Sequence, residues 1–138
     1  MHLRPATTDD ADRIVRFWQD SGASMGPTDS VEQVRRAIAH PAAVLIVAEA
    51  EQEMVGTLLG TFDGWRGNMY RLAVDPVYRR QGIAGRLVAE VEARLRELGA
   101  ERITSLVFVD EPGAVAFWRG AGYTPDISTS RYARNLPP

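Results

Sequence analysis

The stretch that decides the fold runs from residue 69 to residue 98 and reads MYRLAVDPVYRRQGIAGRLVAEVEARLREL. Met69 to Val74 has the apolar character of a β-strand. From Gln81 to Leu98 apolar side chains recur at helical spacing, and Gly99 is suited to end that helix. Ile103 to Val109 predicts a further strand. This order of strand, helix and strand predicts a βαβ unit with two parallel strands and a right-handed crossover.

The turn before this helix has the composition of an anion-binding site. A helix that begins near Gly82 directs the free amides of its first turn out of the sheet, at the C-terminal end of the strand. Gly82 lets the backbone approach a ligand closely, and Ala84 keeps the next position small. Arg79, Arg80 and Arg86 add positive charge, so the ligand implied is a phosphate or pyrophosphate.

The six residues of this turn are not specific by themselves. No Gly-Lys-Ser/Thr follows, which excludes a P-loop, and the glycine spacing does not fit GxGxxG. The segment does match the pattern R-x-x-G-x-A. An ordinary helix N-terminus with solvent-facing arginines is the alternative that the pattern leaves open.

Upstream of this stretch the sequence predicts two helices and a hairpin. The first helix extends from Ala11 to Ser21, and the second begins after Ser30, whose side chain is suited to cap it. Gly22 to Asp29, between them, is rich in glycine, serine and proline and predicts a loop. Ala43 to Ala50 and Met54 to Phe62 are β-rich runs that flank a polar turn, which predicts a hairpin.

Downstream, the sequence predicts a short helix and a closing strand. Asp110 is suited to cap a helix that carries Pro112 in its first turn and ends before Gly122. Tyr123 to Arg134 is predicted to close the sheet. Because the chain contains no linker or repeat, residues 1–138 are expected to form a single domain.

Composition and charge exclude several classes of function. The net charge of -2 gives no general attraction to nucleic acid or to an anionic membrane, since such binding needs a clustered basic face, so neither is an expected partner. The chain has no cysteine and only two histidines, His2 and His40, so no metal site is expected. All apolar runs are far shorter than the ~20 residues of a membrane span, and a cytoplasmic location is expected.

The sequence resembles the GNAT superfamily of N-acetyltransferases. The family signature Q/R-x-x-G-x-G/A is met by Arg79, Gly82 and Ala84. Four further segments match in order along nearly the whole chain: Arg4-Pro5-Ala6-Thr7 resembles the opening of the family, Met54-Val55-Gly56-Thr57 its third strand, Arg71-Leu72-Ala73-Val74-Asp75-Pro76 its fourth strand, and Phe117-Trp118-Arg119-Gly120-Ala121-Gly122-Tyr123 its "FYxxxGF" segment.

The resemblance implies an α/β fold with a mixed, mostly antiparallel sheet and helices on both faces. In this fold a bulged fourth strand parts from the parallel fifth strand, and the pantetheine arm of acetyl-CoA adds to the open edge. The pyrophosphate would bind the amides of the turn and the following helix. The cofactor-binding residues implied are Leu72, Ala73, Val74, Arg79, Arg80, Gln81, Gly82, Ile83, Ala84, Gly85 and Arg86.

The resemblance also implies direct attack of a neutral primary amine on acetyl-CoA in a ternary complex. A backbone amide of the fourth strand would stabilise the oxyanion. The position that usually carries a tyrosine general acid holds Trp118, whose indole N–H is far too weakly acidic for the role. The other candidates for the acid are Tyr123, Tyr70, Tyr132 and a water molecule.

A general base is equally open, because Asn68 stands where some relatives place a carboxylate. Asp63 and Asp110 are the nearest carboxylates by topology. Each also has a structural interpretation, Asp63 as a turn residue and Asp110 as a helix cap.

The expected acceptor is a small-molecule amine or a peptide N-terminus, and the resemblance admits a homodimer. Two alternatives to an active enzyme stay open. One is a catalytically impaired module that binds or senses acyl-CoA, which Trp118 favours. The other is an interaction protein that uses the fold only as a scaffold.

Overall fold

The structure of the protein, a computed structural model, describes residues 1–108, 110 and 112–138. The chain divides into two compact units, Met1–Ser105 and Leu106–Pro138. The first unit contains β1 (His2–Pro5), α1 (Ala11–Asp20), α2 (Val31–Ala39), β2 (Ala43–Ala50), β3 (Glu53–Phe62), β4 (Gly67–Val74), α3 (Ile83–Leu98) and β5 (Ile103–Ser105), and the second contains α4 (Pro112–Gly120). In the described part of the chain, no helix is long and apolar enough to cross a membrane.

The strands form one mixed sheet in the order β1-β2-β3-β4-β5. Neighbouring strands are antiparallel except β4 and β5, which run parallel with Gly67 opposite Ile103 and Met69 opposite Ser105. The predicted βαβ unit is therefore confirmed, as is the α/β class implied by the resemblance. β1 is a strand that no sequence pattern indicated, since four residues are too few to show a reliable alternation.

Helices cover both faces of the sheet. Leu45 and Val47 of β2 pack against Trp18 of α1 and Val34 of α2. On the opposite face, α3 lies very close to β3 because β3 has glycines there. A Cβ atom at Gly60 would lie only 2.5 Å from a methyl carbon of Val91. The close approach of α3 positions its N-terminus beside the end of β4.

β4 contains a bulge near its middle. Thr57 of β3 lies opposite Ala73, whereas Leu59 lies opposite Tyr70, so β4 has one extra residue in this interval. Arg71 takes up the irregularity with a φ of 60°, in the left-handed region that side chains other than glycine seldom adopt. The bulge implied by the resemblance is thus confirmed.

β4 also separates from β5 as the resemblance implies. Its pairing with β5 covers only Gly67 to Met69. Beyond Met69, no strand of the described residues pairs with β4 on that side. Five of the eight residues of β4 therefore lie along an open edge.

The predicted closing strand from Tyr123 to Arg134 is wrong. The described residues in this range form turns and irregular chain, and most are exposed. The side chain of Asp126 accepts hydrogen bonds from the N–H and the hydroxyl of Ser128, at 3.2 and 2.7 Å, which makes a local turn. The β-branched and aromatic residues suggested a strand, but such propensity forms one only where a neighbouring strand supplies backbone partners.

The predicted strand from Ile103 to Val109 is shorter than expected. β5 ends at Ser105, residues 106–108 are not in a strand, and Val109 lies outside the described residues. The parallel pairing with β4 is correspondingly brief.

A cluster of charged side chains fixes the start of the chain to the sheet. The Arg4 guanidinium donates two hydrogen bonds to Asp10, at 2.7 and 2.9 Å, and a third at 2.5 Å to Glu49 of β2. The backbone N–H of Thr7 also donates to Asp10, at 2.7 Å. These bonds, led by those from Arg4, lower the pKa of Asp10 to about 2 and also lower that of Glu49.

Replacing Asp10 should therefore cost stability in a pH-dependent way. Since the pKa of Asp10 is depressed in the folded state, its contribution is present above the ordinary value of 3.8 and is lost as pH falls towards about 2. We expect Asp10→Asn to lower the free energy of unfolding by roughly 2 kcal/mol at pH 7 and by clearly less at pH 3. Urea unfolding at both pH values measures this difference. Asp12→Asn, at an exposed position of α1, is the control, and an Asp10→Asn effect of equal size at both pH values would contradict the account.

Candidate functional site

The turn that leads into α3 exposes unpaired backbone amides. Gly82 is the N-cap of α3 with a φ of 80°, and no side chain caps the helix. Within residues 1–108, 110 and 112–138, no protein acceptor takes the N–H groups of Ile83, Ala84 or Gly85. Three donors at a helix N-terminus, together with the helix dipole, favour an anion.

The space in front of these amides is open. A Cβ atom added at Gly82 or at Gly85 would meet no atom within 4 Å. Gly82 is required by its left-handed backbone, whereas no contact or backbone angle of the protein itself requires glycine at position 85. A pyrophosphate therefore has room to approach the backbone.

Three arginines around this turn have uncompensated charge. Arg79, Arg80 and Arg86 are exposed. None of them forms an ion pair with a carboxylate among the residues that the structure describes, whereas Arg4 and Arg71 do. Their charges are available to the phosphate groups of a ligand.

The open edge of β4 lies next to this turn. Ala73 and Val74 pair with Thr57 and Gly56 of β3 on one side, and the other side is the open edge. Ile83, the first residue of α3, packs over Gly56. The structure therefore brings the predicted residues 72–74 and 79–86 together, and an extended ligand could add to β4 as a further strand with its anionic end at α3.

The bulge is held by a buried side-chain hydrogen bond that sequence reasoning missed. The hydroxyl of Thr57 donates to the backbone carbonyl of Arg71 at 3.1 Å and accepts from the indole N–H of Trp18 at 2.9 Å. Thr57 and Trp18 are almost completely buried. The helical spacing of Trp18 indicated core packing, but nothing in the sequence pointed to its polar partner.

Asp63 has the environment of a turn residue. One of its carboxylate oxygens accepts hydrogen bonds from the backbone N–H groups of Arg66, at 2.7 Å, and Trp65, at 2.8 Å. These bonds, the one from Arg66 first, lower the pKa of its carboxyl group, which makes it a weaker base. Asp63 also follows Phe62, which pairs with Gly67, so it lies at the opposite end of β4 from the α3 turn.

Of the remaining acid–base candidates, Tyr70 lies in β4 of the first unit, and Asp110, Tyr123 and Tyr132 belong to the second unit, as does Trp118. Trp118 is buried, and its ring makes edge-on contacts with Phe117 and Tyr123, with centroids 5.3 and 5.0 Å away. Asp110 is an exposed turn residue two positions before Pro112, where α4 begins. Glu111, which precedes α4, lies outside the described residues, so the capping role of Asp110 stays a prediction. In the described part of the chain, no group of three or more acidic or histidine side chains could hold a metal ion.

An open strand edge beside a basic helix N-terminus is suited to a phosphate-bearing cofactor with an extended arm. The sequence profile of the "Acetyltransferase (GNAT) family" matches residues 11–123. The chain therefore belongs to this family. It is an acetyltransferase, and acetyl-CoA is its cosubstrate.

Relatives of the chain agree with this assignment. An acetyltransferase of Photorhabdus laumondii subsp. laumondii is 31% identical over 115 residues, which cover 83% of this chain and 80% of the relative. An acetyltransferase of Sodalis glossinidius is 29% identical over 136 residues, covering 99% of this chain and 96% of the relative.

Solved structures share the fold. The aminoglycoside 6'-N-acetyltransferase AAC(6')-IG of Acinetobacter haemolyticus matches 99% of this chain and 100% of its own with a TM-score of 0.81 at 16% identity. AAC(6')-Iy in complex with a bisubstrate analogue matches 98% of both chains with a TM-score of 0.82 at 12% identity.

Neutralising the turn should weaken cofactor binding without unfolding the protein. We expect the double variant Arg79→Gln/Arg80→Gln to raise the Kd for CoA about tenfold or more, because each charge-assisted hydrogen bond contributes roughly 1.5–3 kcal/mol. Calorimetric titration with CoA at low and high salt measures the affinity and the loss of its salt dependence. Arg94→Gln on α3, where Arg94 pairs with Glu90, is the matched control. Equal CoA affinity in the double variant and in the wild type would exclude this role for the two arginines.

Proposed function

We propose that the protein transfers the acetyl group of acetyl-CoA to the primary amine of a small molecule or a peptide N-terminus. The observation that supports the proposal most strongly is the open edge of β4 beside the free amides at the start of α3. Backbone groups of Leu72, Ala73 and Val74 would bind the pantetheine arm. The pyrophosphate would bind the turn and the first helical residues, namely Arg79, Arg80, Gln81, Gly82, Ile83, Ala84, Gly85 and Arg86.

The reaction proposed is direct attack within a ternary complex. The amine nitrogen forms a bond to the thioester carbonyl carbon, the carbon–sulfur bond breaks, and CoA leaves as a thiolate that takes up a proton. A backbone amide at the bulge of β4 would stabilise the oxyanion, since donors fixed in advance need no rearrangement during the reaction. The attacking nitrogen loses one proton in the same process.

The reaction needs an acid that gives a proton to the leaving thiolate and a base that takes one from the amine. Trp118 cannot act as the acid, so Tyr123, whose ring touches it, is the proposed donor to the thiolate. Asp110 is the proposed carboxylate for the proton of the amine. Asp63 is the weaker candidate, because two backbone hydrogen bonds favour its ionised form.

The acceptor is proposed to bind against the loop between α1 and α2, residues 21–30. This loop lies in the same unit as the bulge of β4 and contacts it. The solved neighbours that are aminoglycoside N-acetyltransferases support an amine as the acceptor. Their identities of 16% and 12% make the acceptor class a proposal for this chain.

A catalytically impaired module that binds acyl-CoA is the second candidate. The buried Trp118, at the position where the family usually has tyrosine, favours it. Both candidates bind acetyl-CoA, so binding cannot distinguish them. Acetyl transfer to any amine faster than solvent hydrolysis of the thioester supports the enzyme. Binding without such turnover supports the impaired module.

Among active amines, we expect those with low pKa to be the better substrates at neutral pH. An α-amine with a pKa of about 8 is roughly 10% neutral at pH 7, whereas a lysine side chain with a pKa of about 10.4 is only about 0.04% neutral. An enzyme without a strong general base depends on the neutral fraction already present. A panel of amines assayed by CoA release between pH 7 and pH 9 tests this, and the advantage of α-amines should narrow as pH rises. A lysine side chain that outperforms every α-amine at pH 7 would contradict the expectation.

A further inference from the structure

One side chain joins the acceptor loop, residues 21–30, to the bulge of β4. Arg71, the residue at the bulge, places one guanidinium nitrogen 2.5 Å from a carboxylate oxygen of Asp29. The same nitrogen donates a hydrogen bond to the backbone carbonyl of Ser24 at 3.0 Å. The guanidinium also lies over the ring of Trp18, 5.2 Å from its centroid. Arg71 thus contacts α1 and two points of the loop.

These contacts are partly shielded from water. The side chains of Arg71 and Asp29 are only 22% and 17% exposed. An ion pair in such a position is screened less than one on the open surface. The Trp18 ring beneath the guanidinium adds a cation–π contact. Arg71 therefore holds the loop more firmly than an exposed pair would.

The partner of Arg71 organises the loop from within. The oxygen of Asp29 that pairs with Arg71 also accepts a hydrogen bond from the N–H of Gly26 at 2.7 Å. The N–H of Asp29 donates in turn to the carbonyl of Gly26 at 3.0 Å. Asp29 thus closes a turn inside the loop and fastens that turn to β4 through Arg71.

The backbone of Arg71 gives an independent reason to assign its side chain a role. Its φ of 60° is unfavourable for any residue other than glycine, asparagine or aspartate. The bulge itself is fixed through the carbonyl of Arg71, which accepts from Thr57 and makes no demand on the side chain. A glycine would fit this backbone with less strain. The arginine is explained by what its guanidinium contacts.

We propose that Arg71 is the positioning residue that fixes the acceptor loop relative to the bulge. This inference rests on the proposed function. Arg71 then belongs to the strand whose amide polarises the thioester, and its side chain also fixes the position of the loop against which the amine binds. Asp29 neutralises the charge of Arg71, which would otherwise repel an amine that arrives in its protonated form.

The test separates amine binding from cofactor binding. Arg71→Met keeps the Cβ and an unbranched side chain as far as the ε position but removes the guanidinium and with it all of the polar contacts. We expect KM for the best amine of the panel to rise about tenfold, while the Kd for CoA stays within twofold of the wild-type value. Amide hydrogen exchange in residues 22–30 should become faster, with exchange in α3 unchanged. Arg35→Met on α2, where Arg35 pairs with Glu32 on the surface, is the control.

A double-mutant cycle with Asp29→Asn identifies the pair as the cause. The two single variants should each raise KM for the amine, and the double variant should be no worse than the more impaired single one. Arg71→Lys, which keeps the charge for Asp29, should recover part of the loss. Equal increases in KM for the amine and in the Kd for CoA in Arg71→Met would indicate general structural damage and overturn the proposal. An unchanged KM for the amine together with unchanged hydrogen exchange in the loop would also overturn it.

The failure of the proposed function would look different. If the wild type acetylates no amine, the proposed function fails, whereas faster exchange in the loop of Arg71→Met would still report the contact itself. If Arg71→Met does not fold, Asp29→Asn serves in its place, because it removes the ion pair by a change in the loop and leaves the sequence of β4 unchanged. In that case an unchanged amine KM and unchanged loop exchange in Asp29→Asn overturn the proposal.

Discussion

The hydrogen bond from the buried hydroxyl of Thr57 to the carbonyl of Arg71 fixes the point at which β4 departs from regular pairing. The same hydroxyl accepts a hydrogen bond from the indole N–H of Trp18, so α1 as well as β3 holds the bulge in place. Leaving either polar group unpaired in this interior would cost roughly 1–3 kcal/mol. Because the bulge is fixed, β4 keeps its pairing with β3 while its other edge stays open beyond Met69. The same residue whose carbonyl holds the bulge extends its side chain to the loop between α1 and α2.

The second half of the proposed cofactor site depends on packing. Glycines at positions 56 and 60 allow α3 to lie directly on β3, and Ile83 at its start reaches Gly56, the partner of Val74. The free amides of α3 thus lie beside the end of the open edge. A ligand with an extended amide-bearing arm and a pyrophosphate matches both features at once. One short stretch of sequence thus supplies an open strand edge, a turn suited to an anion and a helix.

The sequence alone predicted the βαβ unit of β4, α3 and β5 well. The helical spacing of residues 81–98 and the glycine at 82 are local signals, so the βαβ unit and the start of α3 could be predicted from them. Phosphate binding by the arginines beside this turn stays a prediction. Tyr123 to Arg134 was predicted wrongly because strand propensity does not reveal whether a partner strand is present. The hydrogen bond from Thr57 to Arg71 and the one from Arg71 to Ser24 join residues 14 and 47 positions apart, and no periodicity encodes such pairs. The catalytic assignments to Asp63, Asp110 and Tyr123, the single domain, the homodimer and the cytoplasmic location stay predictions.

The central claim is that acetyl-CoA lies along the open edge of β4 with its pyrophosphate on the first turn of α3. Residue-resolved amide hydrogen exchange of the wild-type protein with and without CoA tests it most directly. CoA should slow exchange at free amides between Leu72 and Val74 and at Ile83, Ala84 and Gly85, because the ligand supplies the acceptors that the protein lacks there. Saturating CoA that leaves these amides exchanging as in the free protein, or that protects only residues elsewhere, would contradict the account.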